Sequence, residues 1–409
     1  MDSAKRPVGQ LPPPGQRAPL PRLLHVFTVA GSLDFLRGQV RFMAGRGFDV
    51  HVAAAPEGDL MARFAEGEHA TAHAVSMTRT ISPATDAISL LRLLSLVRTL
   101  RPDIVHAGTP KGGFLGILAA FAHRIPVRIY HMHGIRGLTE VGWRRRLLMT
   151  AEWLTCSLST RVLCVGDSTR ASAVAAGLCR PDKIVVLGAG SCNGVDARGR
   201  YDPDAIDDGV RAQVRQELKI PANAPVLGFV GRVTRDKGIA ELAGAWRLLA
   251  ALFPDLHLVV VGPTESHDPV PDKILRQLRS DERVRLIAKV TDPARYYAIM
   301  DVVTLPTYRE GMPTVPLEAA AMRLPVVATA VAGCVDAIVD GVTGTLVPPY
   351  SVQALADAIA AYVDSPELCK EHGTSGRERV LRDFIPEQVW ERVLGLYQTE
   401  LRSLRRHRR

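Results

Sequence analysis

Val226-Leu227-Gly228-Phe229-Val230-Gly231-Arg232-Val233-Thr234-Arg235-Asp236-Lys237-Gly238 is an apolar run that empties into a glycine-bounded loop carrying cations, and the helical period of Ile239 to Leu252 follows at once. A buried strand, a short Gly loop and an amphipathic helix in that order form half of a βαβ unit. Arg232 and Lys237 stand on the loop, where two cations can share one diphosphate. Each such charge-assisted hydrogen bond is worth about 1.5–3 kcal/mol net.

A second loop of the same kind lies downstream. Val302 to Leu305 reads as a strand, and after it comes Glu310-Gly311-Met312-Pro313-Thr314-Val315-Pro316-Leu317-Glu318. Pro313 and Pro316 suit the opening turn of a helix, where a missing N–H costs no hydrogen bond. The free amides of such a turn favour an anion, most obviously a phosphate. Glu310 would then sit in the loop, ahead of that turn. Glu318, about one turn into the helix, would accept hydrogen bonds from vicinal hydroxyls such as those of a ribose.

Outward from these loops the chain alternates short strands and helical periods. Leu23 to Val29, Val50 to Ala54, Ile104 to Ala107, Val127 to His131, Val162 to Val165 and Ile184 to Leu187 read as buried parallel strands, with helices such as Phe35 to Arg46, Ile88 to Leu100 and Arg144 to Ser157 between them. A second series comprises Val226 to Val230, Leu256 to Val261, Val284 to Ile287, Val302 to Leu305 and Val326 to Thr329. The expected fold is α/β, two doubly wound domains facing across a cleft that lies beyond the carboxyl ends of the strands. The expected boundaries are a lead-in over 1–21, a first domain over 22–195, a linker over 196–222 and a second domain over 223–385. A helix over 386–401 that could cross back and a basic tail over 402–409 complete the chain.

The chain has 409 residues, enough for two cores, and its net charge of +9 points to an anionic partner. Arg144-Arg145-Arg146, next to Trp143, begins a basic amphipathic helix that could rest on anionic lipid. The basic residues are not interleaved with aromatics and no reading motif occurs, which argues against nucleic acid. The six cysteines form no C-x-x-C pair and read as reduced thiols of a cytosolic protein. The longest apolar stretch, Phe114 to Ala122, falls well short of the ~18 residues of a membrane span. The expected location is the cytoplasm, with at most peripheral contact to the inner face of the membrane. Asp202-Pro203-Asp204, the one D-x-D, follows no strand and is rejected as a metal site.

At the Gly231–Gly238 loop, the Glu310/Glu318 pair, and Pro325 to Thr329 with Gly333, Asp340-Gly341 and Gly344, the chain resembles glycosyltransferase family four, retaining enzymes of the GT-B fold. The first half, with Gly31-Ser32, Thr109-Pro110-Lys111-Gly112-Gly113 and His131-Met132-His133-Gly134, resembles those that extend bacterial surface polysaccharides on a polyprenyl diphosphate. The resemblance implies that Arg232, Lys237, Glu310 and His133 carry the reaction. It implies a donor site of Gly31, Gly231, Arg232, Lys237, Glu310, Gly311, Met312, Pro313, Thr314 and Glu318. The donor is a nucleotide sugar, UDP-linked by preference, with no cofactor and no metal. The acceptor is lipid-linked or a small molecule, and Lys111 and Gly112 are candidates to hold it at a helix start. Asp336 stands where the family usually has glutamate, which weakens a role there. Transfer to a soluble natural product, sugar-nucleotide epimerisation, phosphorolysis and non-catalytic nucleotide-sugar binding stay open as alternatives.

Overall fold

The computed structural model describes residues 20–265, 268–288 and 290–407. Most of the expected lead-in, and Arg408 and Arg409 of the tail, lie outside the described residues.

The first sheet contains β1 (Arg22–Val29), β2 (Asp49–Ala55), β3 (Thr71–Ala74), β4 (Ile104–Gly108), β5 (Val127–Met132), β6 (Arg161–Cys164) and β7 (Ile184–Val186), in spatial order β3-β2-β1-β4-β5-β6-β7. The second contains β8 (Val226–Val230), β9 (His257–Val261), β10 (Val284–Ile287), β11 (Val302–Leu305), β12 (Val326–Thr329) and β13 (Gly344–Val347), in order β10-β9-β8-β11-β12-β13. Every pairing is parallel. Helices cover both faces, so strands such as β8 and β9 are buried along their whole length and read as continuous apolar runs. Two strands escaped the sequence reading for a physical reason. β3 is an exposed edge without a β-branched run, and β13 opens on a glycine pressed against Val326.

In the first domain the helices are α1 (Gln39–Gly45), α2 (Leu60–Glu68), α3 (Pro83–Leu100), α4 (Pro110–Ala122), α5 (Gly142–Leu158) and α6 (Asp167–Ala175). The single helix expected over Phe35 to Arg46 is instead a 3-10 turn, Ala30–Leu36, and the short α1. The break falls at Gly38, which has φ +78° and lies where the Trp390 ring leaves no room for a Cβ.

The remaining helices are α7 (Asp208–Glu217), α8 (Ile239–Leu252), α9 (Asp272–Arg279), α10 (Ala294–Tyr297), α11 (Thr314–Ala321), α12 (Cys334–Ala337), α13 (Val352–Val363), α14 (Pro366–Asp383) and α15 (Pro386–His407). Residues 196–222, expected as a linker, carry α7 and place Ala197, Tyr201, Val214 and Ile220 in the second core. α15 leaves the second domain and packs on the first, where Val393, Leu394 and Tyr397 join the core formed by Leu23, Phe27 and Ile129. It runs on through His407, so the segment expected as a basic tail from 402 is helical that far.

Candidate active site

Both sheets reverse their winding direction beside the first strand of each series, between β1 and β4 and between β8 and β11, and the loops beyond those strand ends form the expected cleft. The β8 loop supplies Gly231 to Gly238, and the β11 loop supplies residues 306–313 ahead of α11.

The two loops meet through one ion pair: Lys237 Nζ is bonded to Glu310 Oε1, with only 11% and 14% of the side chains exposed. Arg232 lies on the rim of the same loop, its Nη1 3.1 Å from Glu265 and its Nη2 3.9 Å from Asp236. Arg309, which sequence reasoning passed over, stands 3.7 Å from Asp236 and donates across the domains to Thr139 Oγ1 at 3.1 Å. Three cations are thus balanced by three carboxylates at one mouth. An incoming diphosphate would take over partners that these carboxylates now provide.

Gly311 touches the first domain. A Cβ there would lie 1.7 Å from the His133 carbonyl oxygen, and its own carbonyl accepts from Thr169 Oγ1 at 3.0 Å. Only glycine permits this approach. Met312 and Val315 pack on the second core, Pro313 is buried, and Thr314 begins α11. Glu318 is less open than a free ribose acceptor would be. Tyr297 donates to its Oε2 at 3.0 Å, the Tyr201 and Thr314 hydroxyls also bond it, and burial raises its pKa against those bonds. Tyr201 went unnoticed because its segment reads as a polar linker.

The His133 ring lies between the Phe35 ring, stacked at 5.2 Å, and the His131 ring at 4.3 Å. Burial lowers its pKa to about 4, so it is a neutral imidazole, and its Nε2 is buried without a hydrogen-bond partner.

Other expected residues are occupied elsewhere. The Gly31 amide donates to Glu57 Oε2 at 2.7 Å. Lys111, a candidate for the acceptor, is committed to Asp86 at 2.6 Å and to Thr78 at 3.2 Å, with 12% of its side chain exposed. Gly112 donates to Thr28 Oγ1 at 3.0 Å and packs against the β1 backbone. Through these bonds Lys111 and Gly112 brace α4 against its neighbours. Asp202 and Asp204 are paired with Arg377 at 2.8 Å and Arg323 at 2.6 Å. Asp336, discounted in the sequence as a departure from the family pattern, accepts from the Ser168 amide at 3.0 Å and hydroxyl at 2.6 Å, and the same hydroxyl accepts from Gly333 N at 2.8 Å. Ser168 belongs to the first domain, so Asp336 is half of an interdomain clasp.

Two parallel Rossmann-like domains facing across such a cleft define the GT-B class. A model of group 1 glycosyl transferases matches residues 210–379, and one of a glycosyl transferase 4-like domain matches residues 30–190. A capsular polysaccharide biosynthesis glycosyltransferase, CapM of Staphylococcus aureus, is 31% identical over 383 residues, 93% of this chain and 98% of that one. An Escherichia coli UDP-Gal:alpha-D-GlcNAc-diphosphoundecaprenol alpha-1,3-galactosyltransferase is 24% identical over 327 residues, 79% of this chain and 82% of that one. Among solved structures, Anabaena HepE in complex with UDP and glucose superposes with a TM-score of 0.77 at 19% identity, covering 92% of this chain and 99% of that one. The chain belongs to the group 1 glycosyltransferases.

Proposed function

We propose that the chain is a retaining glycosyltransferase that moves a sugar from a UDP-linked donor to a lipid-linked saccharide during surface polysaccharide assembly, without a metal ion. The observation that carries this reading is the meeting of Lys237 and Glu310 from neighbouring βα loops, directly beside the contact of Gly311 with His133. In the reaction the bond from the sugar anomeric carbon to the diphosphate breaks and the acceptor oxygen bonds that carbon on the same face. The acceptor proton passes to the departing phosphate. Arg232, Lys237 and the α11 amides would stabilise the charge that grows on the leaving diphosphate, a role a metal ion fills elsewhere. His133, held neutral, would offer the transferred sugar an uncharged hydrogen bond. Glu318 in its hydroxyl cage would face the ribose. Epimerisation lacks support in a chain that is similar to named transferases along most of its length.

A lipid-linked acceptor fits a surface on α5 and the turn before it. No helix among the described residues is long and apolar enough to cross a membrane. Val141 and Trp143 are nonetheless 83% and 67% exposed, Leu147 is exposed, and Arg144, Arg145 and Arg146 stand among them. An apolar wedge with a basic rim matches an anionic bilayer surface. Thr139, just ahead of it, contacts Arg309 at the cleft, so the patch lies beside the route an acceptor would take.

The reading is tested with purified protein and a panel of nucleotide sugars, scored by thermal stabilisation and by transfer to a polyprenyl-diphosphate-linked saccharide, with and without EDTA. One donor should stabilise the protein and be consumed only with acceptor present, equally in EDTA. Turnover in the absence of any acceptor, or no stabilisation at millimolar donor, refutes it.

A further inference from the structure

Four histidines cross the first sheet in a line. His25 on β1, His106 on β4, His131 on β5 and His133 just beyond β5 have ring centroids 5.2, 5.2 and 4.3 Å apart in turn. The row is buried and largely without hydrogen-bond partners: both nitrogens of His25 and of His131, and Nε2 of His106 and His133, have none. Unpaired buried polar atoms cost about 1–3 kcal/mol each, so they call for a ligand or a function. Tyr397 of α15 closes one side by bonding His106 Nδ1. At the other end the row meets Cys192, buried in the loop that follows β7. One ligand atom each from His131, His133 and Cys192 lies within 4.8 Å of the others, a clustering found nowhere else among the described residues.

We propose that His131, His133 and Cys192 form a binding site for a soft or borderline metal ion, Zn²⁺ in the first instance, and that filling it withdraws His133 from the transfer reaction. Two imidazoles and a thiolate suit Zn²⁺ or Cu⁺ and not the oxygen-preferring Mg²⁺, Mn²⁺ or Ca²⁺. Around a tetrahedral Zn²⁺ with bonds of about 2.0–2.3 Å the ligand atoms stand ~3.3–3.8 Å apart, so side-chain rotation of about an ångström closes the set. Water completes the fourth position. The Cys192 thiol loses its proton to solvent as sulfur bonds the metal, while both imidazoles enter neutral. Cys192 has only a weak competitor, the Phe35 carbonyl at 3.9 Å. Phe35 itself covers the His133 ring and is 40% exposed, so an ion reaches the site past one solvent-exposed aromatic edge. Such a site makes the enzyme sensitive to zinc or copper although the transfer proposed above uses no metal.

The inhibitory half of this inference rests on the proposed role of His133; the binding half does not. Metal-stripped wild type is titrated with Zn²⁺ in equilibrium dialysis, and with Co²⁺ to look for a thiolate-to-metal charge-transfer band. Cys192→Ser is carried in parallel, with its melting temperature and UDP affinity measured without metal. One ion per chain, the charge-transfer band in wild type, and Zn²⁺ affinity weaker by about 10² or more in Cys192→Ser support the site, since even outer-sphere changes cost 10–100-fold. Absence of a stoichiometric ion, a Co²⁺ spectrum without sulfur ligation, or undiminished binding by Cys192→Ser overturns it. Zinc binding in a protein that binds no nucleotide would sink the proposed donor site and leave the metal site standing.

Discussion

Replacing Lys237 by Met separates the two things its ammonium does. In the fold it neutralises Glu310 in a pair that is nearly nine-tenths buried on both sides. Removing one member of such a pair strands the other charge, which costs about 3–5 kcal/mol. For a domain of this size each kcal/mol moves the midpoint about 2–4 °C, so Lys237→Met should melt roughly 6–20 °C lower than wild type. In the proposed reaction the same cation would face the leaving diphosphate, and losing one pre-placed donor costs about 10²–10³ in turnover. Lys237→Met with Glu310→Gln then distinguishes the roles. With no charge left to strand, the double variant should regain most of the melting temperature, whereas its turnover should stay at or below that of the single variant. Differential scanning fluorimetry and a coupled UDP-release assay read both arms. A single variant that melts and turns over like wild type, or a double variant that recovers turnover, would refute the assignment of this pair to the donor site.

Asp336→Ala removes the acceptor of two bonds from Ser168. At about 1.5 kcal/mol or more for a charge-assisted bond, the closed arrangement should lose about tenfold in population, raising the donor KM by a similar factor and enlarging the radius of gyration in small-angle scattering; neither changing would dismiss the clasp. Glu152 is buried, accepts from Tyr130 at 2.7 Å, and burial pushes its pKa up to about 7. Because that acid is harder to ionise folded than unfolded, it costs stability increasingly as pH rises from about 4.5 to 7, reaching about 3 kcal/mol above that range. Glu152→Gln should therefore be markedly more stable than wild type at pH 8 and close to it at pH 4.5 in urea melts, and equal midpoints at pH 8 would reject the argument. Reversing Arg144, Arg145 and Arg146 to Glu should abolish flotation with anionic vesicles, since each basic residue near such a surface contributes about 1 kcal/mol, and flotation that survives would point to another membrane contact or none.

The two loops proposed to hold the donor were legible because their parts are local in sequence. β8 runs directly into Gly231 to Gly238, and β11 lies just ahead of the Glu310 loop, so the strand, the loop charge and the following helix can be read in one window. The ion pair of Lys111 was not legible, for the opposite reason. Its partner Asp86 lies 25 residues away at the head of α3, and nothing near Lys111 in sequence says that its charge is spent. Asp336 was discounted as a departure from a pattern, yet a shorter carboxylate is what reaches Ser168, 168 residues earlier and in the other domain. Arg309 and Tyr201 escaped similarly, one by its bond to Thr139 and one because residues 196–222 look polar until α7 is folded into the second core.

The histidine row marks the limit of such reading most sharply. His25, His106 and His131 sit in unremarkable strand positions, each among apolar neighbours, and their separation in sequence carries no period. They become a row only because β1, β4 and β5 are consecutive in space, with His25 paired in register to His106. That adjacency is a consequence of double winding, in which the strand after the first three returns to the other side of β1. The crossover that creates the crevice therefore also places a file of neutral, largely unpartnered imidazoles directly behind His133. Replacing His106 by Leu would break the file without touching His133 or Cys192. If the row matters to the reaction only through His133, such a variant should fold, bind donor and bind Zn²⁺ as the wild type does, whereas loss of donor binding would mean that the interior file itself sets the shape of the site.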